Sequence, residues 1–189
     1  MKMYMIRHGE SVANENRLHA GWSQTPLSLK GEGEAQCLAD VLKQFDFDKV
    51  YSSDLLRAKQ TRSLALPNAD TVFTSLLREI NVGELSGKRA DACLQLYGQR
   101  YLTDKAARDF RFFGGECQEM HFDRVKAFME KIALQKAENV AVFCHEGTIR
   151  CALEYARDAE AFRRPLKNCG VYLFEYENST WQFKTEING

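Results

Sequence analysis

Nothing in this sequence approaches the length of a membrane span, and its first residues lack the apolar core of a signal peptide. Membrane-spanning and secreted proteins are thereby set aside, and a cytoplasmic location is expected. Missing as well is any excess of charge: 26 basic residues meet 26 acidic ones, and no basic block is visible. That speaks against nucleic acid or a membrane surface as partner. The cysteines (Cys37, Cys93, Cys117, Cys144, Cys151 and Cys169) form no C-x-x-C pair. Zinc spacing is therefore absent, and a chain of this size without a secretion signal is not expected to carry a disulfide framework. The cysteines are expected to be small buried hydrophobes, with Cys144, beside His145, the one exception worth testing. There is also no internal repeat, no low-complexity segment and no linker, so one domain is expected over 1–189.

What is present begins with Met3-Tyr4-Met5-Ile6, a short apolar run leading into Arg7-His8-Gly9-Glu10. Such a run ending at a turn reads as a buried strand. Its polar end would lie at the carboxyl edge of a sheet, where open α/β folds place ligands. His8 offers a ring nitrogen that is a fair nucleophile near neutral pH. Arg7 offers a planar fork suited to phosphate oxygens, and Gly9 a sharp turn with room for a ligand beside it. Alone, the trimer reads as readily as a packed histidine in a strand-end turn.

Farther along, Ser11 to Pro26 has no periodicity and reads as a long loop holding Asn14, Arg17, His19 and Trp22. Ser28 caps a helix whose stripe is Ala35, Leu38, Ala39, Leu42 and Phe45. Lys49 to Ser53 reads as a second strand, and Ser53 or Asp54 caps a helix that Pro67 stops. Thr71-Val72-Phe73 is a third strand, Leu76 to Gly87 is turn-rich, Asp91 to Tyr101 is helical, and Thr103 to Gly115 is irregular, basic and aromatic. A helix with Val125, Phe128, Met129 and Ile132 on one side precedes Val140-Ala141-Val142-Phe143, the clearest buried strand. It ends in Cys144-His145-Glu146-Gly147, ahead of a helix with Ile149, Ala152, Leu153 and Ala156 on one face. Val171 to Tyr176 and Trp181 to Ile187 close the chain as two strands about an Asn178-Ser179 turn. Strands alternating with helices imply an α/β fold: a three-layer α/β/α sandwich, its mostly parallel central sheet covered on both faces.

Two apolar strands thus end in a histidine and a glycine-containing turn, and in a parallel sheet both ends share one edge. Ser52-Ser53 and a helix carrying Arg57 open on that same edge. Two histidines and two arginines converging there suit a phosphate dianion.

In this order the motifs resemble those of the histidine phosphatase superfamily, in its phosphoglycerate-mutase-like branch. Matching segments are Arg7-His8-Gly9-Glu10-Ser11 with Asn14 and Gly21, and Pro26-Leu27-Ser28 leading to Gly31. So are Val50-Tyr51-Ser52-Ser53-Asp54 with Arg57, Leu77-Arg78-Glu79-Ile80 with Gly83 and Gly87, Gly115-Glu116 before Arg124, and His145 with Gly147. The resemblance implies activity on a small phosphorylated metabolite with no metal and no cofactor. It implies His8 as the nucleophile and Arg7, Arg57 and His145 as binders of the transferring phosphoryl group. Glu79 would be the proton donor, its pKa raised once a dianion lies beside it, and would then help water attack the phosphohistidine. Asn14 would be an accessory contact, and Gly9, Trp22 and Thr148 would belong to the phosphate and substrate site. The family's mutases are longer between the acid and the later Gly-Glu motif, which favours a phosphomonoesterase over a mutase. Segments 47–61 and 114–125 look most like the α-ribazole phosphatases, a group that shades into broad-specificity phosphatases. The reading from another class is a phosphate-binding regulatory module without turnover, and the presence of all five central residues argues against it. Departures from the family pattern are Asn81 to Gly87, Arg62, and Glu146 where glycine is common. Glu146 is expected to point away from the phosphate. Trp22, Glu84, Leu85 and the 101–113 stretch are expected to wall the pocket, with Phe110, Phe112 and Phe113 either core or aromatic wall. Oligomeric state is not legible in the sequence.

Overall fold

In strand β1 (Lys2–Arg7), Met3 and Met5 join one hydrophobic cluster while Tyr4 and Ile6 join another, and all four are buried. A strand apolar on both faces belongs inside a covered sheet. That is where β1 lies in the computed structural model, which describes residues 1–187. The other strands are β2 (Lys49–Ser53), β3 (Thr71–Thr74), β4 (Asn139–Cys144), β5 (Val171–Glu177) and β6 (Thr180–Glu186). They form one sheet in the order β3-β2-β4-β1-β5-β6. Pairing is parallel from β3 through β1, then antiparallel from β1 to β5 and β5 to β6. The last two strands are a hairpin whose turn residues, Asn178 (φ 49°) and Ser179 (φ 63°), both take the left-handed conformation, matching the right-handed strand twist.

Helices α2 (Leu29–Leu42) and α3 (Leu56–Ala65) cover one face, packing Leu38, Leu42 and Ala65 on Tyr4, Ile6 and Phe143. Helices α5 (Gln118–Ala133) and α6 (Glu146–Tyr155) cover the other, setting Val125, Phe128, Ile132 and Ile149 against Met3, Met5 and Val142. A third cluster gathers Ile80, Val82, Leu85, Tyr101, Phe110 and Phe113 beneath α4 (Ala90–Ala107). Two short helices complete the fold: α1 (Val12–Glu15) and α7 (Ala159–Arg163). Among the described residues, no helix is long and apolar enough to cross a membrane.

Several expectations are corrected by the structure. The loop from Ser11 contains α1, because Ser11 and Asn14 close a reciprocal capping box. Helix α2 stops before Phe45, and α3 has Leu55 at its cap, without a side-chain bond. Ser53 instead accepts the Leu55 N–H at 3.3 Å. Helix α4 runs, past a break at Gly98 (φ 53°), into the first residues of the stretch read as irregular and ends at a left-handed cap on Arg108. Phe110 and Phe113 are core, whereas Phe112 is 57% exposed beneath the Arg100 guanidinium. Four cysteines are buried, but Cys37 is exposed and Cys117 half-buried.

Candidate active site

Strand pairing builds the site. Ile6 lies opposite Phe143 and Arg7 opposite Cys144, so His8 and His145 leave the sheet side by side. Their ring centroids are 5.1 Å apart. Ser52 also lies opposite Phe143, which carries Ser53 to the same edge, where its hydroxyl meets His145 Nε2 at 2.8 Å. Arg57, in the first turn of α3, is 0% exposed. It donates to the Gly21 carbonyl at 2.9 Å, to the Ser23 carbonyl at 3.1 Å and, through Nε, to His8 Nε2 at 3.2 Å.

The state of His8 follows from its partners. Nδ1 lies 2.7 Å from the Gly9 carbonyl, which only accepts, so Nδ1 carries the proton and Nε2 the lone pair. Burial, then the Arg57 charge, pulls its pKa down to about 3, so the ring is neutral at physiological pH. His145 is driven well below its usual value by burial and by Arg57, and its Nδ1 is buried with no hydrogen-bond partner in the structure. Burial brings Arg57 down to about 10, against the Glu79 charge and together with that of Arg7, and it remains a cation.

Glu79 lies across the edge. Its carboxylate accepts the Ile80 N–H at 2.8 Å and the Gly147 N–H at 3.0 Å. Burial opposes its charge, but His121, the two N–H groups and Arg108 outweigh burial and hold the carboxyl at about 2. As it stands, Glu79 is ionised at neutral pH. Glu146 corrects an expectation. Its Oε2 lies 3.2 Å from Arg7 Nη2 while Oε1 holds Arg150 at 2.9 Å. The carboxylate faces the phosphate arginine instead of pointing away, because α6 starts immediately after His145 and Arg150 fixes it one turn on. Arg7 also donates to the Leu166 carbonyl.

Three residues expected at the substrate also brace the site. Trp22 Nε1 donates to the Glu79 carbonyl at 2.7 Å. Thr148 Oγ1 donates to the carbonyls of Leu77 and Arg78 at 3.2 and 3.1 Å. A Cβ on Gly9 would meet the Gly31 carbonyl oxygen at 2.5 Å, so the close approach of α2 requires glycine there. Asn14 does line the cleft above Glu79, a space of about 340 Å³ shared with His19, Gly21, Lys105, Arg108 and Glu146. Of the expected walls, Trp22, Glu84 and Leu85 are not among its lining residues, and Leu85 is core.

One further participant carried no legible signal. His121, fully buried, has neither ring nitrogen hydrogen-bonded, and its Cε1 and Glu79 Oε1 lie 3.0 and 2.0 Å from where a Cβ on Gly147 would stand. Lys105, Arg108 and Phe110 line the cleft, so the 101–113 stretch walls it as expected. Among the described residues, no three His, Cys, Asp or Glu side chains converge as a metal site would need.

A three-layer α/β sheet with two histidines and two arginines at its carboxyl edge defines a class of phosphoryl-handling folds. The sequence profile of the histidine phosphatase superfamily (branch 1) matches residues 3–188, and the chain belongs to that family. A Salmonella paratyphi A protein named "Probable phosphoglycerate mutase GpmB" is 28% identical over 188 residues, covering 96% of this chain and 87% of its own. The Shigella flexneri α-ribazole phosphatase shares the fold with a TM-score of 0.90 at 22% identity, over 100% of this chain and 96% of that one. A phosphoglycerate mutase from Bacillus anthracis superposes with a TM-score of 0.83 at 25% identity, over 98% and 92% of the two chains. Members and structural neighbours of the family are phosphatases or mutases.

Proposed function

We propose that this chain is a phosphomonoesterase that hydrolyses a small phosphorylated metabolite through a phosphohistidine on His8. The observation that carries the reading is His8 itself: neutral, its tautomer set by the Gly9 carbonyl at 2.7 Å, its Nε2 lone pair beside the Arg57 Nε–H. A phosphoryl group arriving at Arg57 takes that N–H for its own oxygen and frees the lone pair for attack. The His8 Nε2–P bond forms as the P–O ester bond breaks, and the leaving oxygen takes a proton from Glu79. A dianion beside Glu79 raises its pKa from about 2 and so lets it carry that proton. Water then attacks phosphorus, gives its proton to Glu79, and the P–N bond breaks. Arg7, Arg57 and His145 stabilise charge in both steps. Membership of a family that includes α-ribazole phosphatases and mutases leaves α-ribazole 5′-phosphate as one candidate substrate among several.

Brief incubation with substrate and an alkaline quench should leave an acid-labile phosphate on His8, detected by mass spectrometry, and His8→Asn should abolish it. A label on Ser11 or Cys144 instead would sink the assignment. Turnover should survive EDTA, since arginines here supply the charge a metal would. Loss on chelation, restored by magnesium or zinc, would count against the mechanism.

A further inference from the structure

The cleft above Glu79 is walled by two cations that, among the described residues, make no ion pair with a carboxylate. Lys105, in the last turn of α4, and Arg108, its cap, line it with His19, Glu79 and Glu146. Neighbouring arginines are matched: Arg100 with Asp104, Arg111 with Asp109, Arg124 with Glu116. The acids of the cleft are matched too. Glu79 accepts two backbone N–H groups, and Glu146 is shared between Arg7 and Arg150. Arg108 differs. Among the described residues no ion pair or hydrogen bond engages its side chain, and its Nε is buried without a partner. Its backbone stands at φ 50°, ψ 39°, a conformation unfavourable for any residue with a Cβ. That left-handed cap ends α4 and turns the side chain onto the cleft, where its charge acts on Glu79 and His121. Lys105 Nζ stands 5.5 Å from the centroid of the Tyr101 ring, which in turn bonds His19 at 2.7 Å, so its stem is held at the rim.

We infer that Lys105 and Arg108 form a second anion site. The substrate of the proposed phosphatase then carries a second anionic group, carboxylate or phosphate, besides the phosphoryl group held at His8. The inference rests on the phosphatase reading for the first group only. An unused guanidinium fork matches either anion in two parallel hydrogen bonds. A half-buried cation without a partner gains more from a ligand anion than one already paired. A neutral remainder, such as an uncharged nucleoside, gains nothing from either residue.

Phosphonates, which cannot be hydrolysed, separate this site from turnover. Calorimetry would compare 3-phosphonopropionate with 3-hydroxypropylphosphonate, their longer homologues, and α,ω-bisphosphonates. The doubly anionic member of at least one pair should bind about tenfold more tightly. That gap should close in the Lys105→Gln/Arg108→Gln double variant. Lys105→Gln alone, at an exposed position, should narrow it without endangering the fold. Equal affinities along the whole series, or a gap that persists in the double variant, would overturn the second site. Hydrolysis of p-nitrophenyl phosphate is measured separately. Turnover without a gap keeps the phosphatase and removes the second site. A gap without turnover keeps the second site and removes the phosphatase.

Discussion

Around His8, charge and hydrogen bonding leave Glu79 one narrow way to act. It is ionised at neutral pH as it stands, so its proton arrives with, or because of, the dianion. Glu79→Gln should therefore slow hydrolysis of alkyl phosphates, whose leaving alkoxides need a proton, by a factor of about 10² to 10⁴. p-Nitrophenyl phosphate has a good leaving group and should suffer less in the first step. With no base for the second step, phosphohistidine should accumulate as a pre-steady-state burst. Equal slowing of both substrates with no burst would move the acid elsewhere, to Glu146 first. Gly147→Ala tests the same carboxylate by crowding, because the added Cβ would stand 2.0 Å from Glu79 Oε1. It should cost at least about tenfold in kcat/KM, since small displacements of a catalytic group carry large penalties. Cys144→Ser should turn over near normally, for burial pushes that thiol above its usual value and leaves it inert.

At the level of elements, the segment carrying Glu79 has almost no regular structure and is held from outside. Arg124, on α5, donates to the carbonyls of Leu76, Arg78 and Glu79 at 3.0, 2.6 and 2.8 Å, and pairs with Glu116 at 2.9 Å. Glu116 in turn accepts the Asn81 N–H at 2.9 Å, and Arg78 is clamped on Asp54 at 2.7 Å. Both members of the Arg124–Glu116 pair are nearly dry, 13% and 10% exposed. Arg124→Met leaves a buried carboxylate unpaired and should cost about 3–5 kcal/mol, read as a lower midpoint in urea; an unchanged midpoint would refute the bracing role. This element also shows what the sequence could reveal. Strands and helices announced themselves through periodicity, and the two histidines through the apolar runs before them. The bonds by which Trp22 and Thr148 brace the site were not legible, because a polar or aromatic side chain near a motif has no period to say whom it bonds. The same blindness hid which residues of the 101–113 wall matter, Arg108 among them through its left-handed helix cap, and it hid His121, which sits on the buried stripe of α5 without being apolar.

For the whole molecule, three histidines buried uncharged set its tolerance of acid. The pKa of His8 is lowered to about 3 and that of His121 to about 4, in each case chiefly by burial, and His145 falls well below 6.5. Folded values below the unfolded 6.5 mean that the unfolded chain binds more protons in between. Their contribution is complete above 6.5 and lost as pH falls toward the folded values. Each can withdraw about 1.4 kcal/mol per pH unit, and the three together about 4 at most. Glu79 and Glu116 are shifted down from 4.5, so their loss begins only in more acid solution. Calorimetric midpoints should fall steadily from pH 6.5 to 5, and His121→Phe should remove about a third of that slope; a flat profile would show that these rings are solvated. The pairing of β1 with β4 and β5 has a further consequence, one of time. His8 leaves the ribosome well before its partners, for its backbone N–H binds the Cys144 carbonyl at 3.1 Å and its carbonyl accepts from Asn168 at 2.9 Å. Arg7, beside it, is anchored by Leu166. With partners so distant in sequence, loop closure must precede any reward, which slows folding. The nascent apolar strand must wait, exposed, through some 140 residues of synthesis, and a chaperone that shields it during that interval would protect the nucleophile before the phosphate site exists.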